Sequence, residues 1–135
     1  MINLEFVDRD HSFKNNYLES WLKEVVLEEK KSLGILTLVF GSDDWLLEKN
    51  IEFLNHDYYT DIITFDYTED DVISGDLLIS VDRVFDNADS NNVSRETELN
   101  RVIVHGVLHL LGYKDKSPEE SELMRKKEDY YLSLL

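Results

Sequence analysis

The sequence of 135 residues contains no cysteine. That excludes a disulfide framework and any thiolate metal site, so a metal ion here can be held only by His, Asp or Glu side chains. Proline occurs once and glycine five times, too few for a long flexible linker, and no internal repeat or low-complexity block is present. No stretch is apolar enough to span a membrane, and Met1 to Phe13 lacks the basic start and apolar run of a signal peptide. A reducing, cytoplasmic setting is the expectation. Positive charge is scarce as well: 14 Lys and Arg stand against 29 Asp and Glu, a formal net charge of −15. Such a chain repels a polyanion at long range, which counts against a bulk nucleic-acid binder. It does not exclude a nuclease whose metal ion and few local cations meet the backbone, or one delivered to RNA by a protein partner.

What is present suits one folded domain over residues 1–135, since an apolar fraction of 42% is enough for a core. Ile2, Leu4 and Phe6 alternate with Asn3, Glu5 and Val7, a period of two that predicts a half-buried first strand. From Phe13 to Lys31 the apolar positions Tyr17, Leu18, Trp21, Leu22, Val25 and Val26 recur at helical spacing. Leu33 to Phe40 is nearly continuous in apolar residues and predicts a strand buried on both faces. Ser42 is placed to cap a helix through Trp45 to Leu54. Ile62 to Tyr67 and Gly75 to Val81 read as two further strands around the acidic turn Thr68 to Asp71, in position to form a hairpin. Arg95 to Leu111 has the strongest helical pattern, with Gly112 where a left-handed cap belongs, and Ser117-Pro118-Glu119-Glu120 opens a last helix. The expected class is α/β in the mixed α+β sense, a four-stranded mixed sheet with about four to five helices.

Chemistry concentrates in the segment from His105 to Asp115. His105 and His109 are four residues apart on the predicted helix, so their rings share a face and stand about 6 Å apart in rise, close enough for one ion to bridge them. A left-handed turn at Gly112 then reverses the chain and brings Asp115 back toward the same point. Three N/O ligands with an open position are the arrangement of a catalytic metal centre, whereas a structural zinc site has four closed ligands. Gly106 inside the helix costs about 1 kcal/mol relative to alanine, which suggests that a substrate must approach the backbone there. The offsets of His105, His109, Gly112 and Asp115 match the metallopeptidase pattern HExxHxxGxxH except at its second and last letters. In those enzymes the glutamate is the general base, and Gly106 stands in its place, so a peptidase reading keeps the metal and loses the base.

The run HGVLHLLGY resembles the signature HGxLHLxGYDH of the YbeY family. Leu54-Asn55 with Thr60-Asp61-Ile62-Ile63-Thr64-Phe65 resembles that family's LN…TDVLSF segment, and Gly75-Asp76-Leu77-Leu78-Ile79-Ser80 resembles its GDI-IS strand. The resemblance covers nearly the whole chain and implies an α/β fold around a four-stranded sheet. It further implies a metal-dependent endoribonuclease acting in small-subunit ribosomal RNA maturation and ribosome quality control, with one divalent ion, zinc by preference, and the ribosome or a ribosomal protein as partner. Neither DNA nor a membrane is expected as a partner. Two departures stand out. The family's third histidine ligand is replaced by Asp115, which shifts the site toward harder ions. The family's arginine between the LN and TD pairs has no counterpart among His56, Asp57, Tyr58 and Tyr59.

The implied site is therefore His105, His109 and Asp115 for the metal, with His56 a candidate general base by its place in the family's fold. Gly106, Lys114 and Lys116 are candidates for substrate contact, and Arg125, Lys126 and Lys127 also lie near the metal end as possible phosphate contacts. The alternatives are a metal-binding ribosome-assembly factor without catalysis, a metallopeptidase, and a metal-stabilised interaction module.

Overall fold

The structure, a computed structural model, describes residues 1–8 and 13–135. Within Met1 to Phe13, the stretch expected to form the first strand, residues 9–12 lie outside the described residues. Four strands and five helices follow in the order β1 (Ile2–Phe6), α1 (Leu18–Glu28), β2 (Ser32–Gly41), α2 (Asp43–Leu54), β3 (Ile62–Asp66), β4 (Val72–Ser80), α3 (Val81–Ser90), α4 (Arg95–Leu110) and α5 (Pro118–Leu132). The strands form one sheet in the order β1-β2-β4-β3. β1, β2 and β4 are parallel, and β3 runs antiparallel to β4 as the other half of a hairpin. Parallel neighbours need a crossover, and α1 supplies the one between β1 and β2. No helix among the described residues is long and apolar enough to cross a membrane.

The two faces of the sheet are unequal. Leu36, Leu38 and Phe40 of β2 are fully buried, as are Leu77 and Ile79 of β4, in a core shared with α1, α3, α4 and α5. The intervening Thr37 and Val39 are only half-buried, so β2 alternates and is not buried on both faces as expected. The second face is covered by α2, whose Leu46 packs on Ile63 and Leu78 in a much smaller cluster. One lone helix cannot shield a sheet of four strands, which is why the continuous apolar run overstated the burial.

The capping chemistry explains the helix starts. Ser42, Ser80, Ser94 and Ser117 each accept a hydrogen bond from a backbone N–H in the first turn of α2, α3, α4 and α5, satisfying donors that the helix itself leaves unpaired. Ser117 and Glu120 complete a reciprocal capping box. α3 departs from the expectation of a strand through Val81, since the strand ends at Ser80 and the helix begins at Val81. Its signal is visible in retrospect: Val81, Val84 and Ala88 are buried at helical spacing behind the Ser80 cap. α4 lies in the middle of the molecule, with Leu99, Val102, Ile103, Val104, Val107, Leu108 and Leu110 all buried.

α1 and α5 are tied to the end of α4 through one carboxylate. Glu29, just beyond α1, accepts hydrogen bonds from the Tyr113 hydroxyl at 2.6 Å, the Tyr131 hydroxyl and the Lys127 ammonium at 3.1 Å. Burial pushes the Glu29 pKa up, but these three donors outweigh it and hold it below the ordinary value of 4.5. Because the folded-state pKa lies below the unfolded one, this stabilisation is complete above about pH 4.5 and is lost as the pH falls through the lower folded value. Glu29→Gln is therefore expected to reduce stability by about 2 kcal/mol at neutral pH. Urea unfolding of both proteins should show that gap narrowing as the pH drops below about 4.5, and an equal gap at pH 7 and pH 3 would contradict the assignment.

Candidate metal centre

α4 ends in a turn that builds the site. The Gly112 N–H donates to the His109 carbonyl and the Tyr113 N–H to the Leu108 carbonyl, each at 3.0 Å, the paired bonds of a Schellman motif. Gly112 takes a φ of 105°, a conformation that a side chain would oppose. The chain reverses there, and Asp115 returns to the face of α4 that carries His105 and His109.

The three side chains converge on one point. His105 Nε2 and His109 Nε2 are 3.0 Å apart, and Asp115 Oδ2 lies 3.2 Å from the first and 3.3 Å from the second. Donors around a tetrahedral ion with bonds of about 2.0–2.1 Å stand about 3.3–3.4 Å apart, so the triangle has nearly the size of one face of such a coordination shell. The opposite ring nitrogens show which atoms carry protons. His109 Nδ1 is 3.0 Å from the Tyr113 carbonyl oxygen, which can only accept, so His109 Nδ1 donates. His105 Nδ1 is 2.6 Å from Glu128 Oε2 and donates to that carboxylate. When both rings are neutral, both Nε2 atoms therefore present lone pairs, and so does Asp115 Oδ2. Three lone pairs at this separation repel one another unless a cation stands among them. A proton on one ring relieves part of the conflict; a divalent ion relieves all of it, and the donor set fits one.

Behind the triad lies a layer that sequence reading missed. Glu128 is buried, accepts from His105 with one oxygen and from Arg101 Nη1 with the other at 2.9 Å, while Arg101 Nη2 reaches Asp129 at 2.7 Å. Burial disfavours a charge on His105, but the Glu128 hydrogen bond and the negative charges of Glu128, Asp115 and Asp61 outweigh it, holding the His105 pKa above its ordinary value. The same field that attracts a proton attracts a metal ion, which must displace that proton to bind. Asp61, at the edge of β3, is half-buried, and desolvation raises its pKa despite the charge of His105. The sequence carries a signal for Glu128: a carboxylate three and four residues from the core residues Tyr131 and Met124, on the buried stripe of α5.

The remaining candidates separate. Gly106 is buried, and a Cβ there would meet Ile62 Cδ1 at 2.8 Å and Leu77 Cδ2 at 2.9 Å. The glycine permits close packing of α4 on β3 and β4, so the expectation that it makes room for substrate is corrected. Nor can position 106 supply a peptidase's glutamate base, since it points into the core. His56 stacks on the Tyr58 ring at 5.1 Å, and its Nδ1 lies 2.9 Å from the Tyr58 hydroxyl; none of its described contacts is with the triad. Lys114 and Lys116 are exposed on either side of Asp115.

The family model described as Endoribonuclease YbeY matches residues 3–135. The endoribonuclease YbeY of Flavobacterium johnsoniae is 47% identical over 135 residues, which covers 99% of this chain and 96% of the relative. That of Cytophaga hutchinsonii is 52% identical over 118 residues, covering 87% and 82%. A solution structure of a Thermotoga maritima protein superposes with a TM-score of 0.69 at 30% identity, over 98% of this chain and 87% of that one.

If Glu128 fixes the His105 tautomer, Glu128→Gln should keep an acceptor but lose the charge, weakening divalent-ion binding by about 10–100-fold. Chelator competition measures this directly. An unchanged affinity would mean that His105 is oriented without Glu128.

Proposed function

The chain belongs to the endoribonuclease YbeY family, and from that premise we propose that it cleaves RNA phosphodiester bonds with one divalent ion, zinc by preference, held by His105, His109 and Asp115. Its substrate is the RNA of the small ribosomal subunit, met at the ribosome in the cytoplasm. The observation that carries the reading is the convergence of three lone-pair donors at the end of α4.

A divalent ion bound there supplies Lewis acidity toward a phosphoryl oxygen and toward water, the chemistry that phosphodiester hydrolysis requires near neutral pH. The chain's own residues do the rest. Glu128 and the Tyr113 carbonyl hold the two imidazoles with their Nε2 atoms toward the site. Asp115 is 40% exposed at its side chain, which leaves the outer side of the triad open to a substrate as large as an RNA strand. Lys114 and Lys116 flank it and offer charge to the backbone where the remainder of the surface repels it. With a net charge of −15, binding to RNA depends on these local cations and on a ribosomal partner, and its salt dependence is set by the few phosphates they meet.

The test is cleavage of a structured ribosomal RNA fragment by the zinc-loaded chain, repurified until specific activity is constant. His109→Ala and Asp115→Ala are each expected to lose more activity than the roughly 10–100-fold typical of residues that only orient ligands. Activity that persists in both variants would belong to a contaminant, and a zinc-loaded parent without activity would favour a non-catalytic role in ribosome assembly.

A further inference from the structure

Five basic residues follow the triad's helix in sequence, and the structure gives them different tasks. Lys127 holds Glu29 at 3.1 Å and lies over the Tyr113 ring. Lys126 pairs with Glu122 at 3.5 Å on the outer side of α5. Lys114 and Lys116 flank Asp115. Arg125 sits one turn before Glu128, and with His105, Asp61 and Glu98 it lines a pocket of about 210 Å³. Arg101 also lines that pocket but is spent on Glu128 and Asp129. Arg125 is exposed, influences Glu98 through its charge, and closes no ion pair with a described residue.

Resting on the nuclease reading above, we propose that this pocket receives the ribose-phosphate unit next to the scissile bond and that Arg125 binds its phosphate. His105 is common to the pocket and the metal triad, so a strand with one phosphate at the triad enters the pocket with its neighbour. The volume lies below that of a pocket for a drug-sized molecule and suits a single sugar-phosphate unit. Its chemistry is complementary in kind as well. Asp61 and Glu98 offer carboxylates that can accept from ribose hydroxyls, the groups by which a protein tells RNA from DNA. Those same carboxylates would repel the phosphate, and Arg125 is the uncommitted cation in the wall that offsets them, with a planar fork suited to two phosphate oxygens.

The test is binding of a labelled single-stranded RNA to the full chain by fluorescence anisotropy, with chelator to prevent cleavage, together with steady-state cleavage by the zinc-loaded chain. Arg125→Ala should weaken binding about tenfold and raise KM while leaving kcat nearly unchanged. The slope of log affinity against log salt should become shallower by about 0.7, the share of one phosphate contact on a single strand. Arg125→Lys should keep that slope, and Lys23→Ala, which removes the same charge from the exposed side of α1, should match the parent. Parental affinity and slope in Arg125→Ala, with the parent cleaving RNA, would overturn this inference and leave the nuclease reading standing. A zinc-loaded parent that neither binds nor cleaves RNA would overturn that reading and this inference with it.

Discussion

Three lone pairs aimed at one point are the constraint around which the end of this molecule is organised. With both imidazoles neutral, His105, His109 and Asp115 would repel one another at their separations of 3.0 to 3.3 Å, and only a proton or a metal ion among them relieves that. They are held by structure behind them. Glu128 fixes one ring, the Tyr113 carbonyl fixes the other, and the Schellman turn at Gly112 delivers the carboxylate. Tyr113 belongs to two of these devices at once: its N–H and carbonyl serve the turn and His109, while its hydroxyl is anchored on Glu29 at the far end of α1. The fold thus supports an arrangement that is unfavourable without a cation and strongly favourable with one.

The acidic composition looks at first like an argument against RNA chemistry, yet locally it serves the metal. Glu128, Asp115 and Asp61 surround His105 with negative charge, which draws in a divalent ion as effectively as the net charge discourages a polyanion at long range. The basic residues are correspondingly few and differentiated. Near the triad, Lys127 and Arg101 hold α5 to its surroundings, Lys126 pairs within α5, and Lys114, Lys116 and Arg125 make no ion pair with a described residue.

Much of this was legible in the sequence because the relevant signals are local. Serine caps, the period of two in β1, the helical spacing of α1 and α4 and the glycine turn at Gly112 each act within a few residues, and the fold class followed from them. That His105, His109 and Asp115 cluster was legible for the same reason, since they lie within one helix and the turn that follows it. What escaped depends on contacts across the chain. Glu128 is 23 residues from the histidine it orients, and its burial on α5 is evident only once α5 lies against α4. Gly106 was misread because a glycine beside a ligand suits an open site as well as a close helix-to-sheet contact, and only Ile62 and Leu77 decide between them. The half-covered state of β2 depends on how little α2 shields, which periodicity cannot express.

The account stands or falls on the ion. Elemental analysis of the chain purified without a histidine tag, beside His105→Ala/His109→Ala prepared in the same way, addresses it most directly. About one equivalent of a divalent metal in the parent and none in the double variant is the predicted result. No metal in the parent, even after reconstitution with zinc, manganese or nickel, or equal metal in both proteins, would contradict the claim that these three lone pairs exist to hold a cation.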